Sequence, residues 1–233
     1  MDQAYPLQQR TLPVAQRDVS VRGAFLVRTY QHLLGAIVAF TAIEVYLFKS
    51  GVAETMARAM LGTSWLLVLG GFVVVSWIAS SVAHRAASLP AQYAALGGFV
   101  LAESIIFVPL LFIAQQAAPG VIQSAAVVTL AGSTALSAIV FVTRKDFSFL
   151  GGLLRWGMIV ALGLIVAGVI FGFELGTYFS IGMIALAGGA ILYDTSKVLH
   201  HYPEDRYVGA ALELFASVAL LFWYVLRLFL SRR

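Results

Sequence analysis

Long apolar stretches recur along this chain and constrain its fold more than any other feature. Each has about 18 to 24 residues, enough for an α-helix rising 1.5 Å per residue to cross a hydrocarbon layer of about 30 Å. Short connections separate them, and three of these contain Pro90, Pro119 and Pro203. We count seven stretches, at residues 27–48, 65–83, 91–114, 121–142, 151–171, 176–198 and 208–230. They predict an all-α integral membrane protein, a bundle of seven transmembrane helices.

The composition excludes a water-soluble globule. Of the 233 residues, 61% are hydrophobic and 11% are charged, whereas about 25% charged residues is usual in soluble domains. The formal charge of +4 comes from lysines and arginines scattered between apolar stretches, so no nucleic-acid partner is expected. The chain has no cysteine, which excludes disulfides, a thiolate nucleophile and zinc–thiolate sites.

Residues 1–26 are polar and basic, and they lack the apolar stretch of a cleavable signal. We interpret them as a mobile tail and residues 27–233 as the transmembrane domain. If the N-terminus is cytoplasmic, that side collects ten lysines and arginines and the other side five. The positive-inside rule therefore predicts a cytoplasmic N-terminus, although the basic C-terminus then falls outside.

Four acidic residues lie within the apolar stretches, where a carboxylate costs about 2.5–3.5 kcal/mol and needs a partner or a watery cavity. They are Glu44, Glu103, Asp194 and Glu213. Glu44 is close to Lys49 at the outer end of its span, so it either reaches the headgroups or pairs with a base. It is also a candidate for lining a cavity.

Glu103 lies near the middle of its span and precedes Pro109 by six residues. Proline lacks a helical donor, which leaves the carbonyl of Ile105 without its usual partner and favours a kink. A buried acid beside a loosened backbone is typical of a polar cavity. The alternative is a structural glutamic acid hydrogen-bonded to a serine or carbonyl of a neighbouring helix.

Asp194 and Glu213 flank the turn of the last hairpin, which falls near Pro203 and Glu204. An antiparallel hairpin places both carboxylates at similar depth, about two turns inside the cytoplasmic face. Such a pair loses its protons in steps that belong to both groups, which predicts pH sensing, and its oxygens suit Ca²⁺. In the structural alternative, Asp194 pairs with Lys197 and Glu213 snorkels. Lys197 is also a candidate for lining a cavity.

Small residues predict how the helices associate, because close backbone approach replaces the hydrophobic drive in lipid. We expect all of the clustered glycines to pack against neighbouring helices. They are Gly70, Gly71, Gly97, Gly98, Gly151, Gly152, Gly168, Gly172, Gly188 and Gly189.

Two segments resemble a known family. AGGAILYDTSKVLHHYPEDRYVGAALELFASVALLFWYVLRLF at 187–229 resembles the closing hairpin of the Bax inhibitor-1 (transmembrane Bax inhibitor motif) family, in its bacterial YccA-like branch. FLVRTYQHLLGAIVAF at 25–40 resembles the first helix of that family. The YDT of Tyr193 to Thr195 before a basic loop is specific in this setting, and the resemblance covers nearly all of the chain after the tail.

The resemblance implies a bundle with the last helix central and a pH-sensitive Ca²⁺ leak controlled by two aspartates, one of which maps onto Asp194. Where the family reads LYLDxxNLF, this chain reads LFASVALLF, so Ser217 replaces the second aspartate and Leu220 the asparagine. Glu213 precedes Ser217 by one turn on the same face, and we hypothesise that it substitutes for the missing acid. The predicted gate and ion site is therefore Asp194, Glu213 and Ser217, with Asp194 and Glu213 as metal ligands and Glu103 along the route.

Three classes of function compete. The first is a passive, proton-modulated Ca²⁺ leak through a bacterial inner membrane, with no cofactor other than the ion itself. The second, also implied by the resemblance, is a regulator that binds a membrane-bound, ATP-dependent quality-control protease through its tail. The third is an enzyme, which we do not expect: Tyr193 and Asp194 supply the YD of intramembrane aspartyl proteases, but GxGD, HExxH and GxSxG are absent.

Overall fold

The computed structural model describes residues 13–63, 65–85, 88–117 and 119–231, which form eight α-helices and no β-strand. The long apolar stretches become helices because lipid offers no hydrogen bonds to an open backbone. The helices are α1 (Val19–Lys49), α2 (Val52–Leu61), α3 (Trp65–Arg85), α4 (Leu89–Ala117), α5 (Val121–Thr143), α6 (Leu150–Phe171), α7 (Thr177–His200) and α8 (Tyr207–Ser231).

Six of the described helices, α1 and α4 to α8, are long and apolar enough to cross a membrane. A seventh crossing exists if α2 and residues 66–82 of α3 form one span, although these two segments meet at 112°. The helix α2 was not predicted, because it lies between the first two apolar stretches, in a segment interpreted as a connection. Its buried residues, Ala53 and Ala57, are small, and its solvent side carries an exposed ion pair between Glu54 and Arg58.

The last helix, α8, packs against α1, α3, α4, α5 and α7. The ring of Phe215 lies 6.1 Å from Phe40 of α1 and 6.1 Å from Phe99 of α4, measured between centroids. Edge-to-face pairs of this kind add about 0.5–1.5 kcal/mol each beyond burial. By contrast, α6 exposes large apolar side chains such as Trp156 and Ile159, as expected of a helix surrounded by lipid.

Glycine packing is more selective than the sequence predicts. A methyl group added at Gly151, Gly188 or Gly189 would lie 2.9, 3.4 or 3.2 Å from a side chain of a neighbouring helix. One at Gly168 would lie 3.1 Å from the backbone oxygen of Phe173, in the loop after the same helix, so this glycine does not pack as predicted. For the other clustered glycines the prediction is wrong, because those positions face open space. Nothing lies within 4 Å of a methyl group at Gly70, Gly71, Gly97, Gly98, Gly152 or Gly172.

Two groups of loops lie at opposite ends of the bundle. At one end, His201 contacts Asp146 at 3.1 Å, which joins the α7–α8 loop to the α5–α6 loop. At the other end, Arg227 donates to the carbonyl of Leu175 at 2.8 Å, and Thr177 donates to Ser231 at 3.3 Å. The last helix therefore runs from the first end of the bundle to the second.

Residues 13–17 form what we call the N-terminal strap, which is docked on the α7–α8 loop. The N–H of Val14 donates to the carbonyl of Tyr202 at 2.8 Å, and the Val14 side chain is fully buried. Arg17 binds Glu204 through two hydrogen bonds, at 3.1 and 2.5 Å. Burial of the valine and the forked geometry of arginine hold the strap in place.

The predicted mobile tail is therefore wrong for residues 13–26. The strap is docked, and α1 already begins at Val19. The apolar side chain of Phe25 is buried and stacks on Tyr202, with ring centroids 6.5 Å apart, which explains why the helix extends upstream of the apolar stretch. Residues 1–12 lie outside the described residues.

Candidate functional site

The α7–α8 hairpin brings Asp194 and Ser217 into direct contact. The Ser217 hydroxyl donates to Asp194 Oδ2 at 2.5 Å, and both residues are buried. Ser217 therefore occupies the partner position that the sequence assigned to it, as a hydrogen-bond donor instead of a second acid. A hydrogen bond to a charged acceptor contributes about 1.5–3 kcal/mol.

Glu213 pairs with Lys197 across the same hairpin. The lysine ammonium lies 3.2 and 2.9 Å from the two carboxylate oxygens, and the two side chains are only 22% (Lys197) and 13% (Glu213) exposed. The structural alternative, in which Lys197 pairs with Asp194 and Glu213 snorkels, is wrong in this structure. Asp194 still attracts Lys197 electrostatically, without a direct ion pair between them. We call Asp194, Lys197, Glu213 and Ser217 the charged cluster.

Two tyrosine rings enclose the charged end of Lys197. The ammonium lies 5.3 Å from the ring centroid of Tyr193 and 5.4 Å from that of Tyr202, within cation–π range. Burial raises the pKa of Tyr202 well above its usual value, and the negative charge of Glu213 raises it further. Tyr202 therefore keeps its phenolic proton beside Glu213. The sequence analysis missed this residue because it lies in the loop, outside the apolar stretches.

The geometry of the charged cluster is not that of a resident Ca²⁺ site. Ca²⁺ takes 6–8 oxygen ligands, whereas the oxygens of Glu213 face an ammonium group. Within the part of the chain that the structure describes, no group of three or more His, Asp or Glu side chains could hold a metal ion. The use of Asp194 and Glu213 as metal ligands stays a prediction.

A cavity of about 1380 Å³ lies between α3, α4, α6, α7 and α8. Ser217 lines it, so the cavity reaches the charged cluster, and Arg227 and Glu174 line it near the opposite end of the bundle. Glu103 also lines the cavity, is 6% exposed, and accepts no hydrogen bond from any described residue. Among the described residues no serine donates to Glu103, and donation by a protonated Glu103 to a carbonyl, the other form of the structural alternative, stays a prediction.

Glu44 and Lys197, the other two candidates for lining a cavity, lie outside this wall. Lys197 is held by Glu213 in the hairpin. Glu44 is on α1, which does not contribute to the cavity. It is 6% exposed, and both of its carboxyl oxygens lack a hydrogen-bond partner among the described residues, so neither the predicted pairing with Lys49 nor exposure to headgroups is observed.

These features define a class: a multi-pass helical membrane protein with a cavity between its helices and a charged cluster at one end of it. Comparison with known proteins narrows the class. A family model described as inhibitor of apoptosis-promoting Bax1 matches residues 22–233.

Three relatives are each 30% identical to this chain. PA2604 of Pseudomonas aeruginosa aligns over 219 residues, covering 92% of this chain and 90% of its own length. YccA of Escherichia coli aligns over 205 residues, 84% of this chain and 85% of its own, and is named a modulator of FtsH protease and an inner membrane protein. Bax inhibitor 1 of Schizosaccharomyces pombe aligns over 233 residues, covering 94% of this chain and 81% of its own length. The chain belongs to the Bax inhibitor-1 family, in its bacterial YccA-like branch.

Proposed function

We propose that this protein is a passive, proton-modulated cation leak, with Ca²⁺ as the ion that the family resemblance implies. One observation carries the proposal: Ser217 both lines the cavity and donates to Asp194. Through Ser217 the cavity thus leads to a titratable group at the end of the bundle where the α7–α8 loop lies. No phosphate-binding loop is present in the sequence, so any flux runs downhill.

In this conformation the charged cluster closes the inner end of the route. The Lys197–Glu213 pair and the Ser217–Asp194 bond hold α7 and α8 together beside the loop. Protonation of either carboxylate removes charge that holds Lys197 in place and changes the balance between closed and open arrangements. Asp194 is the gate acid in this mechanism, Ser217 its partner, and Glu213 the counter-ion of the lysine.

The expected topology is a seven-span bundle in a bacterial inner membrane, with α8 central and the N-terminus in the cytoplasm. The strap, the α5–α6 loop and the α7–α8 loop lie at one end of the bundle, as this orientation requires. Arg17, Arg144 and Lys145 are among the basic residues at that end, consistent with the positive-inside rule.

Ca²⁺ flux from reconstituted liposomes tests the leak. Wild-type flux is expected to differ several-fold between about pH 6 and about pH 8, and Asp194→Asn is expected to abolish the difference because the gate acid no longer titrates. Glu44→Gln, a change at a buried acid outside the cavity, serves as the matched control and keeps the pH response. Equal wild-type flux at both pH values, or a pH response that survives Asp194→Asn, contradicts the leak.

The same flux measurement on Glu213→Gln tests whether Glu213 substitutes for the missing aspartate. If the pH response survives in this variant, Glu213 is not the substitute.

The second candidate is a non-conducting regulator of a membrane-bound protease. YccA is named a modulator of FtsH protease, and the docked strap favours a regulatory role here. The strap directly follows residues 1–12 and holds the α7–α8 loop through Val14 and Arg17. A protease that binds the N-terminus would thereby act on the same hairpin that carries the charged cluster.

A cross-link tests whether the strap must detach for protease binding. Pro13 and Pro203 form an isolated antiparallel bridge, and the chain has no native cysteine, so Pro13→Cys with Pro203→Cys introduces the only two thiols. Oxidation is expected to reduce capture of an FtsH-type protease several-fold, and reduction to restore it. The single variants are the controls. Equal capture by the oxidised and reduced forms contradicts the strap mechanism.

A further inference from the structure

Glu103 lies among aromatic side chains in the wall of the cavity. We call this group of side chains the aromatic enclosure. Phe99, Glu103 and Phe107 are spaced four residues apart on α4, so their side chains share one face of the helix. All three line the cavity. The carboxyl group is thus flanked by one phenyl ring on the turn before it and another on the turn after it.

Neighbouring helices add two further rings to this enclosure. Phe72 of α3 lies 6.3 Å from Phe99, and Trp223 of α8 lies 5.0 Å from Phe107, measured between centroids. Both line the same cavity. Ser76, one turn after Phe72, also lines it, and its buried hydroxyl has no hydrogen-bond partner among the described residues.

We infer that this enclosure is a binding site for a hydrophobic organic cation of the ammonium type, with Glu103 as its counter-ion. Aromatic faces attract cations within about 6 Å, and cages of such rings are the usual receptors for quaternary ammonium groups. A carboxyl group that is 6% exposed and has no donor from the described residues supplies the opposite charge. The cavity, at about 1380 Å³, exceeds the roughly 300–1,000 Å³ of typical small-molecule sites.

A lipid acyl chain is the competing occupant, since most of the cavity wall is apolar. An acyl chain fills apolar volume but leaves the Glu103 carboxyl and the Ser76 hydroxyl without partners, and burying unpartnered polar groups costs free energy. A cation with an apolar body satisfies the carboxyl group and fills the same space. The enclosure therefore favours the cation. Binding needs no ion flux, so this inference stands or falls separately from the leak.

Two ions of the same shape and opposite charge provide the test. The full chain in lipid nanodiscs is titrated with tetraphenylphosphonium and with tetraphenylborate, and empty nanodiscs give the background. Saturable binding is expected for the cation alone. Glu103→Gln is expected to weaken it at least about tenfold, which corresponds to about 1.4 kcal/mol. Phe72→Leu is expected to weaken it several-fold through loss of an aromatic ring that lines the cavity and is only partly buried.

Glu44→Gln is the matched control, because it makes the same chemical change at a second buried glutamate of equal exposure outside the cavity. It is expected to bind the cation as wild type does, and Glu103→Asp, which keeps the charge, is expected to retain part of the affinity. Equal binding of the two ions, or wild-type affinity in Glu103→Gln, overturns the inference and indicates an apolar lipid site. Equal loss in both glutamine variants also overturns it, because the effect then belongs to the whole bundle.

Discussion

Lys197 shows how one side chain determines the roles of its neighbours. It lies three residues after Asp194 in sequence, yet its ammonium group binds Glu213 on the next helix at 2.9 Å. Asp194 instead accepts the hydroxyl of Ser217. Removing one partner of a fully buried ion pair lowers the free energy of unfolding by about 3–5 kcal/mol. The loss is smaller for this pair, because both side chains are partly exposed. Lys197 thus binds Glu213 while Ser217 binds Asp194.

A second residue-scale contact lies outside the membrane, at Asp146 in the α5–α6 loop. Burial acts to raise the pKa of Asp146, but hydrogen bonds from Ser148 and Ser196, together with nearby His201, hold it below its usual value. A carboxyl group with a depressed pKa contributes stability above its ordinary pKa and loses it as the pH falls through the folded value.

Asp146→Asn is therefore expected to lower the melting temperature slightly at about pH 7, by an amount that shrinks as the pH falls below the ordinary pKa of an aspartic acid. Thermal unfolding across this range in detergent checks it, with Glu174→Gln, at an exposed acid of the opposite end, as the control. A difference that persists unchanged at the acidic limit would show that the aspartate acts through something other than its charge.

At the scale of elements, contact between α6 and α7 depends on individual glycines. A methyl group at Gly157 would lie 2.6 Å from Leu186 Cδ1, whereas one at Gly163, on the same helix, meets nothing within 4 Å. Both are interior positions of α6. They differ only in which side of the helix faces α7, so sequence spacing alone does not separate them.

Gly157→Ala is expected to destabilise the protein by about 1–3 kcal/mol, because Leu186 must move to admit the methyl group. Gly163→Ala is expected to stabilise it by about 0.5–1 kcal/mol, since alanine loses less backbone entropy in a helix. Melting temperatures of the two variants in the same detergent test both predictions, with expected shifts of about 2–4 °C per kcal/mol. Identical shifts would mean that the α6–α7 contact is looser than described.

At the scale of the whole molecule, the loops divide into two groups at opposite ends of the bundle. His201 and Asp146 join two loops at the end that carries the strap. Arg227 and Leu175 join the end of α8 to the α6–α7 loop at the other. In a membrane, these groups belong on opposite sides.

Single cysteines test this division without background, because the native chain has none. Lys145→Cys is expected to react with a membrane-impermeant maleimide from the cytoplasmic side, and Ser50→Cys and Glu174→Cys from the other side. All three native positions are exposed. Labelling of Lys145→Cys and Glu174→Cys from one side would contradict the arrangement of the helices across the membrane.

The sequence by itself determined the class of protein, its family and which acids lie at membrane depth. These properties depend on the length of apolar stretches, the cost of desolvating a carboxylate and local motifs such as YDT, all of which are written along the chain. The four-residue spacing of Phe99, Glu103 and Phe107 is also visible in the sequence. Only the structure shows that the three side chains line one cavity.

Only the tertiary structure decided which charges pair, which glycines touch a neighbour, and that residues 13–17 dock on the α7–α8 loop before α1 begins at Val19. It also revealed α2, the enclosure around Glu103 and the contact between Ser217 and Asp194. Each of these depends on how a helix is rotated about its axis and on which neighbour faces it. In lipid, an apolar side chain is tolerated on every side of a helix, so hydrophobic periodicity no longer reports that rotation, and packing has to set it.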